Sequence, residues 1–309
     1  MVLFTSERSL KRAENIRAVY DAYDGPKEFI QVDPYNPSPE LTASRFELRV
    51  TDELVRSTPG KVIMIGHGLS GGKYYGLDQP HPYFRRCCSQ LLTYVVATSE
   101  AMVDMTAKQC GVDVSRVLPL GMPRTDAYFG KRKGDGGTLL AKKRAYLYAP
   151  TFRNGNEPPM PRIDWQKIDE ALTDDELLVV KPHMITKHIL EGHYDHIIEV
   201  SSDVPSTPYL IDCDVLITDY SSIMLDAHIL RKPVILFEKE KGFVEARGMY
   251  LDYPGGYASR YATTENDLIA MMQVAEGQGQ EDLKCLELTA GSCDGHSTER
   301  VIELIKETL

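Results

Sequence analysis

Apolar residues along the chain fall in short runs rich in β-branched side chains, separated by longer stretches where they recur every three or four positions. That alternation predicts parallel α/β units. In the first half, Val2-Leu3-Phe4, Phe29-Ile30-Gln31-Val32, Lys61-Val62-Ile63-Met64-Ile65 and Tyr94-Val95-Val96-Ala97 read as strands. Glu14 to Tyr23 reads as a helix, and so does Ser99 to Cys110, with Thr98 or Ser99 in place to cap it. A short strand at Arg116-Val117-Leu118 leads into a loop from Pro119 to Arg124. Gly130 to Lys143 sets Gly134, Gly136 and Gly137 among charged residues and reads as a linker.

Beyond that linker the strand signal resumes at Ala145 to Ala149, Leu177 to Val180, His196 to Val200, Asp214 to Thr218 and Pro233 to Phe237. Most of these runs lead into a helical segment, so a second parallel sheet is expected. No repeat of the solenoid kind is present. The pattern predicts an α/β chain of two Rossmann-like domains with a cleft between them. Residues 1–137 form the first domain and 138–309 the second, with the last helix able to cross back to the first.

Composition narrows the function classes. A length of 309 residues suits two domains rather than one core. With 42% hydrophobic and 26% charged residues the chain is globular rather than disordered. Its net charge of -10 argues against nucleic acid as a partner, because phosphate contacts need clustered Lys and Arg. An anionic substrate then requires a local pocket of cations and amides. No run of about 18 apolar residues is present, and Met1 to Glu7 lacks the basic-then-apolar layout of a signal peptide. The chain reads as cytoplasmic, with membrane contact at most peripheral at the inner face. Cys87, Cys88, Cys110, Cys213, Cys285 and Cys293 show no C-x-x-C spacing and read as plain thiols, with no metal site expected.

Gly66-His67-Gly68-Leu69-Ser70-Gly71 fits G-x-G-x-x-G after a strand. A dinucleotide site also needs a helix opening at the last glycine, so that its first amides meet the pyrophosphate. Gly72-Lys73-Tyr74-Tyr75-Gly76, with Pro80 and Pro82 behind, leaves no room for one. The weight therefore moves to His67, at the carboxyl end of a buried strand where parallel sheets bind ligands. A histidine bonded within its own loop is the competing reading.

The sharpest signal is Thr218-Asp219-Tyr220-Ser221-Ser222, between the strand at Asp214 to Ile217 and the helical run Ile223 to Leu230. The first amides of a helix lack intrahelical partners and sit at the positive end of its dipole, which suits a phosphate. A plain serine cap explains one of the two serines. Ala149-Pro150-Thr151-Phe152-Arg153 ends one strand with a guanidinium suited to oxyanions, and Lys181-Pro182-His183 ends the next with a cation and an imidazole. Together, Arg153, His183, Ser221 and Ser222 point to a diphosphate site. Asp212 and Asp214 have D-x-D spacing but precede a strand, at the end of the sheet away from the ligand edge.

These motifs form a series. His67-Gly68 is followed by Gly121-Met122-Pro123-Arg124-Thr125-Asp126, Tyr148-Ala149-Pro150-Thr151-Phe152-Arg153 and Lys181-Pro182-His183. Then come Thr218-Asp219-Tyr220-Ser221-Ser222 with Asp226, Arg247-Gly248-Met249-Tyr250, and Asp294-Gly295-His296-Ser297-Thr298-Glu299-Arg300. In order and spacing, from about Asn15 to Arg300, the chain resembles the CDP-glycerol glycerophosphotransferase family of teichoic-acid and related polymer synthesis. One departure is Leu69-Ser70-Gly71-Gly72-Lys73 after His67-Gly68, where the family continues Thr-Pro-Leu-Lys.

The resemblance implies a glycosyltransferase-B type fold, an acceptor-side first domain and a donor-binding second domain. The implied donor is CDP-glycerol or a related CDP-polyol, and the implied acceptor a hydroxyl of a saccharide or polyol phosphate. CMP is released and no cofactor is needed. The resemblance makes His67 and His183 the central histidines. On this reading His67 is the general base, while Thr151, Arg153, Lys181, His183, Ser221 and Ser222 hold the diphosphate. Asp226 orients the polyol or is an ordinary surface carboxylate, and Arg247 closes onto the phosphates or pairs with an acid. Two other readings keep the same fold: a nucleotide-sugar glycosyltransferase or epimerase, and a non-catalytic nucleotide-binding subunit.

Overall fold

The computed structural model describes residues 1–33, 45–52, 60–66, 88–153, 160–186, 188–240 and 248–309. Their strands are β1 (Val2–Ser6), β2 (Lys27–Gln31), β3 (Leu48–Thr51), β4 (Lys61–Met64), β5 (Tyr94–Val96), β6 (Val117–Leu118), β7 (Arg144–Tyr148), β8 (Glu176–Val180), β9 (Ile197–Glu199), β10 (Val215–Thr218), β11 (Val234–Phe237) and β12 (Arg260–Ala262). The helices used below are α1 (Glu14–Ala22), α2 (Val103–Cys110), α3 (Trp165–Asp169), α4 (Thr207–Asp212), α5 (Ile223–Ile229), α6 (Glu265–Val274), α7 (Gln280–Ala290) and α8 (Ser297–Thr308). Among the described residues, 1–66, 88–129 and Glu287–Leu309 form one compact unit and Gly130–Leu286 a second.

The first unit holds a six-stranded sheet in the order β2-β1-β3-β4-β5-β6, with every neighbouring pair parallel. Val2, Phe4, Leu48, Val50 and Ile63 alternate onto one face, where Ile16 and Val19 of α1 and Val301 and Ile305 of α8 cover them. The second sheet runs β12-β11-β10-β7-β8-β9, also parallel throughout. Its strands read as near-continuous apolar runs because helices cover both faces. Trp165 and Ile168 of α3 and Leu268 and Met272 of α6 pack onto that core.

Some expectations change. The strand β3 escapes the apolar pattern because Arg49 interrupts it. Arg49 is only 3% exposed, its Nε donates to Thr5 Oγ1 at 2.9 Å, and burial lowers its pKa to about 10. Ser99 caps no helix with its side chain, since a 3-10 turn at Glu100–Met102 precedes α2. The Thr98 and Ser99 hydroxyls donate instead to the Thr289 and Leu288 carbonyls at the end of α7. That anchors the C-terminal segment on the first unit.

The glycine-rich stretch 130–143 is bonded to the second unit rather than free. Asp212 takes the amides of Gly134, Gly136 and Thr138 at 2.7–2.9 Å, together with the Thr138 hydroxyl. These donors hold its carboxyl below the usual range against the effect of burial. A Cβ at Gly136 would collide with the Pro208 carbonyl and Asp212. Asp214 pairs with Lys133 and accepts the Ala145 amide. Both aspartates therefore work at the amino-terminal edge of the sheet. Among the described residues, no helix is long and apolar enough to cross a membrane.

Candidate functional site

Parallel sheets bind ligands beyond the carboxyl ends of their strands, where the strand order reverses. In the second sheet that point lies between β7 and β10. The segments leaving these strands are Ala149 to Arg153 and Asp219 to Ser222, two of the motifs singled out in the sequence. Asp219 joins them. Its Oδ1 accepts the Thr151 amide and the Tyr220 amide, both at 2.7 Å, and its Oδ2 accepts Arg153 Nη2 at 2.9 Å. Arg153 Nη1 also donates to the Thr151 carbonyl at 2.8 Å, and its guanidinium lies 5.8 Å from the Tyr220 ring centre. Thr218 Oγ1 closes the joint from below, donating to the Ala149 carbonyl at 2.6 Å.

The serines stand differently. Met224 and Leu225 donate their amides to the Ser221 and Ser222 carbonyls, starting α5. Ser221 Oγ accepts the Ile223 amide at 3.5 Å. The Ser221 and Ser222 amides and the Ser222 hydroxyl find no hydrogen-bond partner among the described residues. Ser222 is exposed and Ser221 half-buried. Three donors without a partner thus follow the Asp219 that anchors the Arg153 guanidinium, a donor set that fits phosphate oxygens.

His183 follows β8, the neighbour of β7, and its ring lies 4.6 Å from the Phe152 ring. Its Nδ1 accepts the Ile185 amide at 3.3 Å, which leaves Nε2 as the protonated nitrogen of the neutral ring. Lys181 sits at the predicted strand end, but its buried ammonium donates to the Pro182 and Ser202 carbonyls at 2.8 and 3.2 Å. Burial lowers its pKa, with Asp203 acting in the opposite direction. As placed, it braces the loops after β8 and β9. Thr151 is buried, with its backbone in the Asp219 network. Asp226 is 5% exposed, so it is no surface carboxylate. His67 and Arg247 lie outside the described residues.

Sequence reasoning passed over an aromatic-carboxylate group beside this edge. Tyr220 and Tyr261 both donate their hydroxyls to Glu238, which follows β11. The Tyr253 ring packs 5.0 Å from Tyr220 and 6.1 Å from Tyr261. Burial first, and then the Glu238 charge, push the Tyr253 hydroxyl well above the usual phenol range. In the first unit, Asn15 was likewise missed as an organiser. Its Nδ2 donates to the Gly66 carbonyl and its Oδ1 accepts the Arg124 amide, both at 3.0 Å. Among the described residues, no group of three or more His, Cys, Asp or Glu is placed to hold a metal ion.

Comparison with known proteins follows the same lines. The family model for CDP-glycerol:poly(glycerophosphate) glycerophosphotransferase matches residues 46–307. A teichoic acid glycerol-phosphate primase of Bacillus subtilis is 30% identical over 255 residues, covering 77% of this chain and 66% of its own. A teichoic acid poly(ribitol-phosphate) polymerase of Bacillus spizizenii is 26% identical over 266 residues, 79% of this chain and 43% of its own. The chain spans about half the length of the curated relatives it matches. The solved wall teichoic acid polymerase TagF aligns with a TM-score of 0.79 at 19% identity, over 99% of this chain and 88% of that one. At that identity the likeness concerns the fold, and it agrees with the expected α/β architecture of two parallel sheets, glycosyltransferase-B type.

Proposed function

The chain belongs to the CDP-glycerol:poly(glycerophosphate) glycerophosphotransferase family, and from that premise we propose that it moves a glycerol-phosphate or other polyol-phosphate unit from a CDP-linked donor to a hydroxyl acceptor in wall-polymer synthesis. One observation carries the reading: the unpartnered amides of Ser221 and Ser222, with the Ser222 hydroxyl, at the β7/β10 edge beside Arg153. A diphosphate brings acceptor oxygens for those donors and negative charge for the guanidinium.

In the proposed reaction the acceptor oxygen attacks the β-phosphorus in line. The new P–O bond forms as the bond from that phosphorus to the bridging oxygen breaks, and CMP leaves with the bridging oxygen. The acceptor proton passes to His67 as general base. Charge gathers on the leaving phosphate, where the serine amides, Arg153 and His183 Nε2–H stabilise it. Asp226 orients the polyol, and Arg247 closes onto the phosphates. Buried thiols at Cys110 and Cys213 fit a reducing cytoplasm.

The test is CMP release from CDP-glycerol and CDP-ribitol with glycerol-phosphate oligomers as acceptor, beside calorimetric titration with CDP-, UDP- and GDP-linked donors. CMP release with selective binding of a CDP donor is expected. Equal affinity for UDP-linked sugars, without CMP release, would point to a nucleotide-sugar enzyme instead.

A further inference from the structure

The first sheet also reverses its order once, between β1 and β3. The side chains at that point mirror those of the second sheet in one respect and depart from them in another. In the second sheet, Asp219 bridges the two strand ends and is saturated by two amides and a guanidinium. In the first, Asp52 follows β3 and bridges back to the last residue of β1. Ser6 Oγ donates to Asp52 Oδ2 at 3.0 Å and itself accepts the Arg8 amide at 3.0 Å. Asp52 is only 3% exposed, yet its Oδ1 has no hydrogen-bond partner among the described residues.

A buried carboxylate oxygen without a partner is unfavourable, and folded proteins rarely keep one without use for it. The position adds to the argument, since the reversal point of an open parallel sheet is where its ligands enter. Resting on the function proposed above, we propose that Asp52 Oδ1 accepts a hydrogen bond from a hydroxyl of a polyol-phosphate ligand, so that the β1/β3 edge is the acceptor subsite. A carboxylate oxygen can only accept, so the ligand must supply a donor. The Arg8 charge acts on Asp52, which places a cation near for the ligand's phosphate. Gly66, on the adjoining β4 side, is pinned through Asn15 and is followed in sequence by His67. With His67 proposed as the general base for the acceptor, a hydroxyl held in this sheet is assigned to the acceptor.

The experiment uses the full chain and the variants Asp52→Asn and Asp52→Ala, checked for native circular dichroism. CMP release is followed against acceptor concentration, and CDP-glycerol affinity is measured by calorimetry. The inference expects the acceptor KM to rise about tenfold or more in both variants, the loss of one hydrogen bond to a charged group. CDP-glycerol affinity stays within about twofold of the parent, since Asp52 belongs to the first sheet and the Ser221/Ser222 donors to the second. An unchanged acceptor KM overturns the inference. If the parent chain neither binds CDP-glycerol nor releases CMP, the proposed function fails, and glycerol 3-phosphate titrated directly onto the parent and Asp52→Asn decides the subsite. Binding lost in the variant supports it, and equal binding or none to either overturns it.

Discussion

Asp219 holds Arg153 in an ion pair of 2.9 Å, with the two side chains only 4% and 9% exposed. The guanidinium that the sequence offered as a donor contact is therefore fixed before any ligand arrives. A fixed cation loses less entropy on meeting a phosphate than a mobile one. Removing its partner does two things at once. Asp219→Asn leaves a buried cation without its counter-charge, which costs roughly 3–5 kcal/mol. It also weakens the acceptance of the Thr151 and Tyr220 amides. Urea unfolding should report a clear loss of stability, and calorimetry a weaker CDP-glycerol complex.

Ser222 gives the opposite pattern. Its hydroxyl is exposed and has no partner among the described residues, so Ser222→Ala should change stability by less than about 0.5 kcal/mol. If the hydroxyl meets a phosphate oxygen of the donor, affinity falls about tenfold, the range of one hydrogen bond to a charged group. Thr218→Val is the control. It deletes a buried hydroxyl bonded to Ala149 and should lower stability, while touching the ligand only through the backbone. Equal donor affinity in Ser222→Ala and the parent would remove the serine from the site.

Much of this was legible in the chain because the strands are buried on both faces. Runs such as Leu177 to Val180 and Asp214 to Thr218 announce themselves without tertiary information. The strand ends were legible for the same reason, since a parallel sheet presents its ligands there. What escaped depends on contacts distant in sequence. The strand β3 is buried with a charged residue whose partner, Thr5, is 44 positions away. Asp219 reads as part of a motif, and only the folded chain shows it tying Arg153 to Tyr220. Lys181 reads as a free cation until the Pro182 and Ser202 carbonyls surround it.

Asn15 is a positioning residue on this structure. It links the Gly66 carbonyl, at the end of β4, to the Arg124 amide at the 3-10 turn Pro123–Tyr128. Asn15→Asp keeps an acceptor for Arg124 but sets a carboxylate oxygen against the Gly66 carbonyl, displacing the backbone that leads into His67. The expected result is a fall in kcat of about tenfold or more, corresponding to roughly 1.4 kcal/mol of lost transition-state stabilisation. CDP-glycerol affinity should be unchanged, because the donor contacts lie in the other sheet. A parallel loss of donor affinity would instead mean general unfolding.

Asp126 ties together two motifs that are distant in sequence. Its carboxylate accepts the Ser297 and Thr298 amides at 3.0 and 2.7 Å, satisfying the open start of α8. Gly121 lies so close to Ser292 and Ser297 that a Cβ there would collide with both. Asp126→Ala should destabilise the chain by about 1–2 kcal/mol, the range for a lost helix cap with a favourable dipole contact. Protection of the α8 amides from hydrogen exchange should fall with it. Unchanged exchange in Ser297 to Arg300 would show that the cap is redundant.

Asp52 allows a sharper test, because its contribution to stability has a sign that depends on pH. Burial raises its pKa from the ordinary 3.8 to about 6, outweighing the lowering from the Ser6 hydroxyl, the Arg8 charge and its own amide, while Glu7 adds to the rise. A carboxyl whose folded pKa lies above its unfolded value favours the folded state while protonated, and that contribution is lost as pH rises through the folded pKa. The parent chain should therefore lose stability from this group between about pH 4 and pH 7. A shift of this size corresponds to roughly 1–3 kcal/mol. Asp52→Asn cannot ionise, so the difference between variant and parent should be small at pH 4.5 and favour the variant at pH 7.5, read from urea midpoints. The same substitution is expected to weaken acceptor use, so stability and function would move in opposite directions at one buried oxygen. A difference of equal size at both pH values would show that the protonation of Asp52 does not change differently in the folded and unfolded chain across this range.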